Sequence, residues 1–210
     1  MRGPSSGHSR ISFSIAYLFM SDNVQKNSVR QRGRRCHLCA GAHRIPQEGN
    51  AAMASIYDRE KAVAYAKRWA LSRNQAYLDF QGLGGDCTNF VSQCLYAGCG
   101  VMNYTPVYGW YYISGNRRTA SWTGVPYLYH FLTGNEKEGP YAREIAPDQA
   151  RPGDVVQLGA RGQPFTHTAL IVDVRSGEIF VAAHTLDAWN RPLSSYPQVI
   201  RRFLGIEARG

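Results

Sequence analysis

A chain of 210 residues with 44% hydrophobic and 12% aromatic residues can bury a full core, and at about 100–200 residues per domain it reads as one domain. The formal net charge of +9 would suit a nucleic-acid partner, but eight of the 24 Lys/Arg and two of the 15 Asp/Glu lie in residues 1–52. Residues 53–210 keep sixteen cations against thirteen anions, scattered and without a basic stripe to track phosphates, so composition argues against nucleic acid.

No run reaches the ~18 consecutive apolar residues of a membrane span. Five cysteines are an odd count in a chain with a core of its own, which predicts reduced thiols rather than a disulfide framework.

Residues 1–52 mix Ser, Arg, Gly, Asn and Gln with little apolar periodicity, and Arg30 to Arg35 form a self-repelling basic run, so a disordered basic leader is expected. Ile11 to Met20 resembles a signal-peptide core, but Ser12 and Ser14 interrupt it and no small-x-small cleavage site follows. Cys36, Cys39 and His43 resemble half of a zinc site without a second ligand pair, and chance spacing is the preferred reading. The abrupt change to patterned sequence suggests Met53 as the native start, and with it a cytoplasmic location.

From Tyr57 to Arg73, Ala62, Val63, Ala66, Trp69 and Ala70 form one apolar stripe, which predicts an amphipathic packing helix. A connection follows, and then Gly84-Gly85-Asp86-Cys87 turns into a second helix carrying Phe90, Val91, Cys94 and Leu95 at helical spacing, stopped by Gly98 and Gly100. Residues 103–112 carry five aromatics that either line a groove or pack onto the core. Thr123 is placed to cap a short helix through Leu132, ended by Gly134, with His130 read as structural. Asn135 to Gly153 reads as polar and turn-rich.

The period then changes to two. Strands are expected over 154–158, 166–174, 178–184 and 199–206, with a hairpin around Ser176-Gly177. Helices first and strands later predict an α+β fold with N-terminal helices packed on a C-terminal antiparallel sheet.

Cys87 stands in the first helical turn, where unpaired N–H groups and the positive end of the helix dipole favour thiolate over thiol. A nucleophile there needs a base, and the patterned part of the chain offers His130, His167 and His184. With Arg175 paired to Glu178, counting outward sets Ala169 opposite His184 and His167 opposite Leu186, so the two histidines share a face as diagonal neighbours. His167 is then the base and His184 its orienting partner. Asp187, the other candidate for the third role, falls on the opposite face unless a one-residue bulge reverses the choice. The plain alternative is that Cys87, like Cys94 and Cys99, is a small buried hydrophobe and His167 a satisfied sheet histidine.

The run Asp86-Cys87-Thr88-Asn89-Phe90-Val91-Ser92-Gln93-Cys94, with Arg151-Pro152-Gly153-Asp154-Val155-Val156, His167-Thr168-Ala169-Leu170-Ile171-Val172 and His184-Thr185-Leu186-Asp187, resembles the putative amidase domain family of bacteria. The resemblance covers about residues 56 to 206. It implies a papain-like, NlpC-type fold and amide hydrolysis through a thioester, with Cys87 as nucleophile, His167 as base, His184 as orienting group and Asp86 as the acidic residue before the cysteine. The Cys87 backbone N–H would contribute to the oxyanion hole; Gln81, six residues before Cys87, has the spacing of the papain glutamine, on which this family does not depend. The implied partner is a peptide or amide substrate such as a bacterial cell-wall stem peptide, with no metal and no cofactor. Two other functions fit the same residues: a non-catalytic peptide- or glycan-binding module built on the aromatic segment, and a thiol acyltransferase.

Overall fold

The computed structural model describes residues 56–197 and 200–210. The expected disordered leader, the Ile11 to Met20 stretch, the Cys36/Cys39 pair and the Met53 start lie outside the described residues. No described helix is long and apolar enough to cross a membrane.

Helix α1, Arg59–Trp69, starts where Asp58 accepts a hydrogen bond from the Lys61 N–H at 3.0 Å, relieving one of the unpaired N–H groups of the first turn. It ends four residues before the expected Arg73. Helix α2, Cys87–Cys99, ends at Gly100, whose φ of +68° suits a glycine C-cap. The expected stop at Gly98 does not occur; Gly98 lies inside α2 against the Tyr57 ring, so its missing side chain lets α1 and α2 approach.

Strands β1, Tyr112–Ser114, and β2, Arg117–Arg118, make a small separate ribbon. Helix α3, Ala120–Thr123, leads through Gly124 into α4, Val125–Gly134. Gly124 rather than the expected Thr123 occupies the N-cap of α4, with Pro126 in its first turn.

The main sheet contains β3 (Gly139–Ile145), β4 (Val155–Gly159), β5 (Phe165–Arg175), β6 (Glu178–Ala183), β7 (Ala188–Pro192) and β8 (Ile200–Arg209). Its order is β3-β8-β4-β5-β6-β7 and every neighbouring pair is antiparallel. The last strand is thus inserted between β3 and β4. Leu170, Val172, Ala182, Leu204 and Ile206 face a core that includes Ala62, Ala66, Phe90, Val91, Leu95, Trp110 and Trp122. The other sheet face carries a smaller cluster of Val156, Leu158, Ala169, Ile171 and Val181 under Leu193 and Tyr196. This is the expected α+β arrangement of helices on an antiparallel sheet.

The aromatic segment divides between its two expected fates. Trp110 is wholly buried and donates from Nε1 to Ser92 Oγ at 3.1 Å, while Tyr104 and Tyr108 stay exposed.

Candidate active site

The turn into α2 is made by Gly84 and Gly85, at φ +114° and +111°, a region that side chains rarely tolerate. Asp86 follows as the N-cap, wholly buried, yet its carboxylate accepts nothing from the first-turn N–H groups of α2. Its Oδ1 instead accepts from the Phe80 N–H at 2.9 Å and Asn89 Nδ2 at 2.8 Å, and its Oδ2 lies 2.6 Å from His184 Nδ1. The Asp86 N–H donates to Thr185 Oγ1 at 2.9 Å. Thr185 makes this contact from φ +79°, a costly conformation for a β-branched residue and of the kind that clusters at functional sites.

His184 is buried with both ring nitrogens engaged. Its Nε2 is 2.9 Å from the Trp69 carbonyl oxygen, and its ring stacks on Phe90 with centroids 4.0 Å apart. A carbonyl only accepts, so Nε2 donates to Trp69, and Nδ1 is taken up by Asp86 Oδ2. No ring nitrogen is left over for His167.

The β5–β6 register explains this departure from the expected pair of histidines. Arg175 pairs with Glu178 as counted, but the register slips by one between Ile171 and Asp173. The bulge at Val172 makes Leu170 face Ala182, instead of leaving Ala169 to face His184. His184, following Ala183, is turned to the helix side, where it meets Phe90 and Asp86. On β5 it is Thr168 that faces α2, accepting from Thr88 Oγ1 at 3.2 Å. His167 takes the alternate face and stacks on Tyr196 with centroids 5.8 Å apart. Its Nε2 is buried without a hydrogen-bond partner. Burial, and then the Arg191 charge, push the His167 imidazole down to about 4, so it is neutral at physiological pH.

Cys87 is the first residue of α2 and is 7% exposed. Its Sγ lies 3.8 Å from Thr88 Oγ1, and no hydrogen bond joins it to either histidine. Burial raises the Cys94 thiol well above the usual range and the Cys99 thiol to about 11. Both stay protonated, as expected of small core residues.

Asp187 meets no histidine. Both of its oxygens accept from Arg73, at 2.8 and 2.9 Å. The same guanidinium donates to Gln81 Oε1, so both reserve candidates from the sequence converge on one residue that sequence reasoning passed over. His130 is exposed and meets Tyr129 edge-on. Among the described residues no group of three or more His, Cys, Asp or Glu could hold a metal ion.

Comparison with known proteins matches residues 56–204 to the model of the putative amidase domain family, which covers more than half of the chain. The chain belongs to that family. An uncharacterized protein of Bacillus subtilis strain 168, YhbB, is 35% identical over 136 residues, covering 63% of this chain. The aligned part spans 42% of the length of that relative. No solved structure matches.

Membership in the putative amidase domain family suggests hydrolysis of an amide C–N bond. Asp86, His184 and Thr185 hold the helix start beside Cys87, whereas His167, on the other face of the sheet, keeps a buried Nε2 without a hydrogen-bond partner. Sequence pattern had no means of finding Arg73 or Thr185, because both act through the particular positions that the bulge and the glycine turn give their neighbours.

Proposed function

We propose that this chain is a cysteine-dependent amidase in which Cys87 attacks an amide carbonyl and forms a thioester that water then hydrolyses. The observation that carries the reading is the start of α2: a cysteine opens the helix, and the preceding aspartate leaves the first-turn N–H groups uncapped. Those N–H groups favour a thiolate and can donate hydrogen bonds to the oxyanion that forms on attack.

His167 is the base in this reading. Its nitrogen is neutral and unpartnered, and Cys87 and His167 each immediately precede one of the two threonines joined by the Thr88–Thr168 hydrogen bond. Proton transfer requires the first residues of β5, paired there with β4, to rearrange so that the ring reaches the helix side of the sheet. His184 acts as a positioning residue through Asp86 rather than as an orienting group for His167. We extend the reading to a papain-like, NlpC-type hydrolase acting on peptides such as bacterial cell-wall stem peptides, supported by a helix-start cysteine followed by an antiparallel sheet.

The alternative of a peptide- or glycan-binding module draws support from a cavity of about 570 Å³ lined by Val107, Tyr108, Tyr127, His130 and Phe131. Incubating the protein and its Cys87→Ala and His167→Ala variants with stem peptides and a general peptide library separates the two. Product from the unaltered chain, with at least a ~1,000-fold loss in Cys87→Ala, is expected of a covalent nucleophile. Equal product from the unaltered chain and Cys87→Ala ends the thiol mechanism, and unchanged turnover in His167→Ala removes that residue as base.

A further inference from the structure

We propose that Arg73 is a positioning residue for the Cys87 thiol: its guanidinium ties together the two segments that flank the thiol and supplies a positive charge among three carboxylates. The inference rests on the reading of Cys87 as nucleophile. It stands on geometry at both sides of the helix start.

On one side is the loop that leads into α2. Arg73 Nε lies 3.3 Å from Asp79 Oδ2, and Nη2 donates to Gln81 Oε1. Asp79 is itself held below the usual carboxylate range, first by the Gln81 N–H and then with help from Arg73. On the other side is the segment after β6, where Asp187 takes two parallel hydrogen bonds from the guanidinium. Asp187 comes two residues after Thr185, whose hydroxyl receives the Asp86 N–H. Between the two sides, Asp86 Oδ2 is 3.8 Å from Arg73 Nε. The Arg73 side chain is only 18% exposed, so its charge is partly shielded from water and acts over short range.

Asp86 directly precedes Cys87, and the three carboxylates gathered on Arg73 would, without its charge, oppose ionisation of a thiol at this helix start. Arg73 offsets them, and its planar fork holds Asp187 in a way a lysine ammonium cannot reproduce. Charge and fork therefore make separable contributions. Arg73→Lys keeps the first, Arg73→Gln loses both, and Asp187→Asn leaves the arginine with one acidic partner fewer.

The test is alkylation of Cys87 by iodoacetamide in the full chain, followed by peptide mass spectrometry from about pH 5 to about pH 9, with thermal unfolding recorded for each variant. Arg73→Gln is expected to alkylate Cys87 about tenfold more slowly at neutral pH, its profile displaced by about one unit to higher pH. Arg73→Lys regains most of that displacement. Asp187→Asn moves the profile the opposite way, to lower pH, and keeps the inference testable even where Arg73→Gln does not fold. A folded Arg73→Gln with an unaltered profile overturns the inference, as does an upward displacement in Asp187→Asn. A different outcome, Cys87 in the unaltered chain reacting no faster than Cys94 and Cys99, overturns the nucleophile reading and this inference with it.

Discussion

At the scale of single residues, His167 couples the site to pH. Burial lowers its imidazole from the ordinary 6.5 to about 4, so between those values the unfolded chain binds a proton that the folded chain refuses. Its contribution is complete above about pH 6.5 and is lost as pH falls toward 4, a change of up to about 3 kcal/mol that its partial exposure reduces. Urea unfolding at pH 7 and pH 4.5 measures this. The loss of stability between the two is expected to be about 2 kcal/mol smaller in His167→Gln than in the unaltered chain. Identical losses would show that the ring is not buried as described. The same neutrality gives the imidazole an acceptor nitrogen at physiological pH, which a general base needs.

At the scale of elements, close packing decides which glycines can be replaced. A Cβ on Gly98 would stand 2.4 Å from the Tyr57 ring and 2.9 Å from the Asp58 carbonyl oxygen, and that backbone atom belongs to the residue that caps α1. Gly98→Ala is therefore expected to destabilise by about 1–2 kcal/mol despite the better helix propensity of alanine. Gly134, at the end of α4, has nothing within 4 Å of such a Cβ, and Gly134→Ala should be neutral or stabilising by up to about 1 kcal/mol. Thermal denaturation of both variants checks the opposite signs.

Much of this level was legible beforehand: the helix that starts at Cys87, the turn that pairs Arg175 with Glu178, and the strands near 155 and 200 all carry local signals. Two strands of the main sheet were not. β3, with its charged Arg143 and Glu144, pairs along one edge only, with β8, and β7 is an edge strand containing Asn190 at φ +54° and ending in Pro192. Both lack the apolar alternation that marks a central strand. The bulge at Val172 left no signal either, because period-two patterning persists on each side of the slip. That one extra residue separates His184 from His167 and explains why the cysteine and glycine turn were readable while the histidine pairing was not.

At the scale of the whole molecule, the late insertion of β8 into the sheet centre needs something to hold non-local pieces in register, and Asp154 does this. Its Oδ1 accepts from Arg59 Nη1 on α1 at 2.6 Å and from the Ile206 N–H on β8 at 2.9 Å, while its Oδ2 accepts from the Arg151 N–H at 2.8 Å. Its carbonyl oxygen takes the Ile171 N–H of β5 at 2.8 Å. One wholly buried carboxylate thus joins the first helix, the last strand and the turn into β4. Removing it strands the Ile206 N–H and takes away the Arg59 ion pair, so Asp154→Ala should lose about 3–5 kcal/mol. Asp154→Asn keeps an acceptor for Ile206 and should lose less. The site offers a second readout that separates architecture from chemistry. Among the described residues no hydrogen bond or ion pair joins Asp154 to Cys87, Asp86 or His184, so under folding conditions the alkylation profile of Cys87 in Asp154→Asn should overlay that of the unaltered chain. A displaced profile in a folded Asp154→Asn would mean that the β4 turn acts on the thiol, and that this acidic residue has a share in the chemistry beyond holding the sheet together.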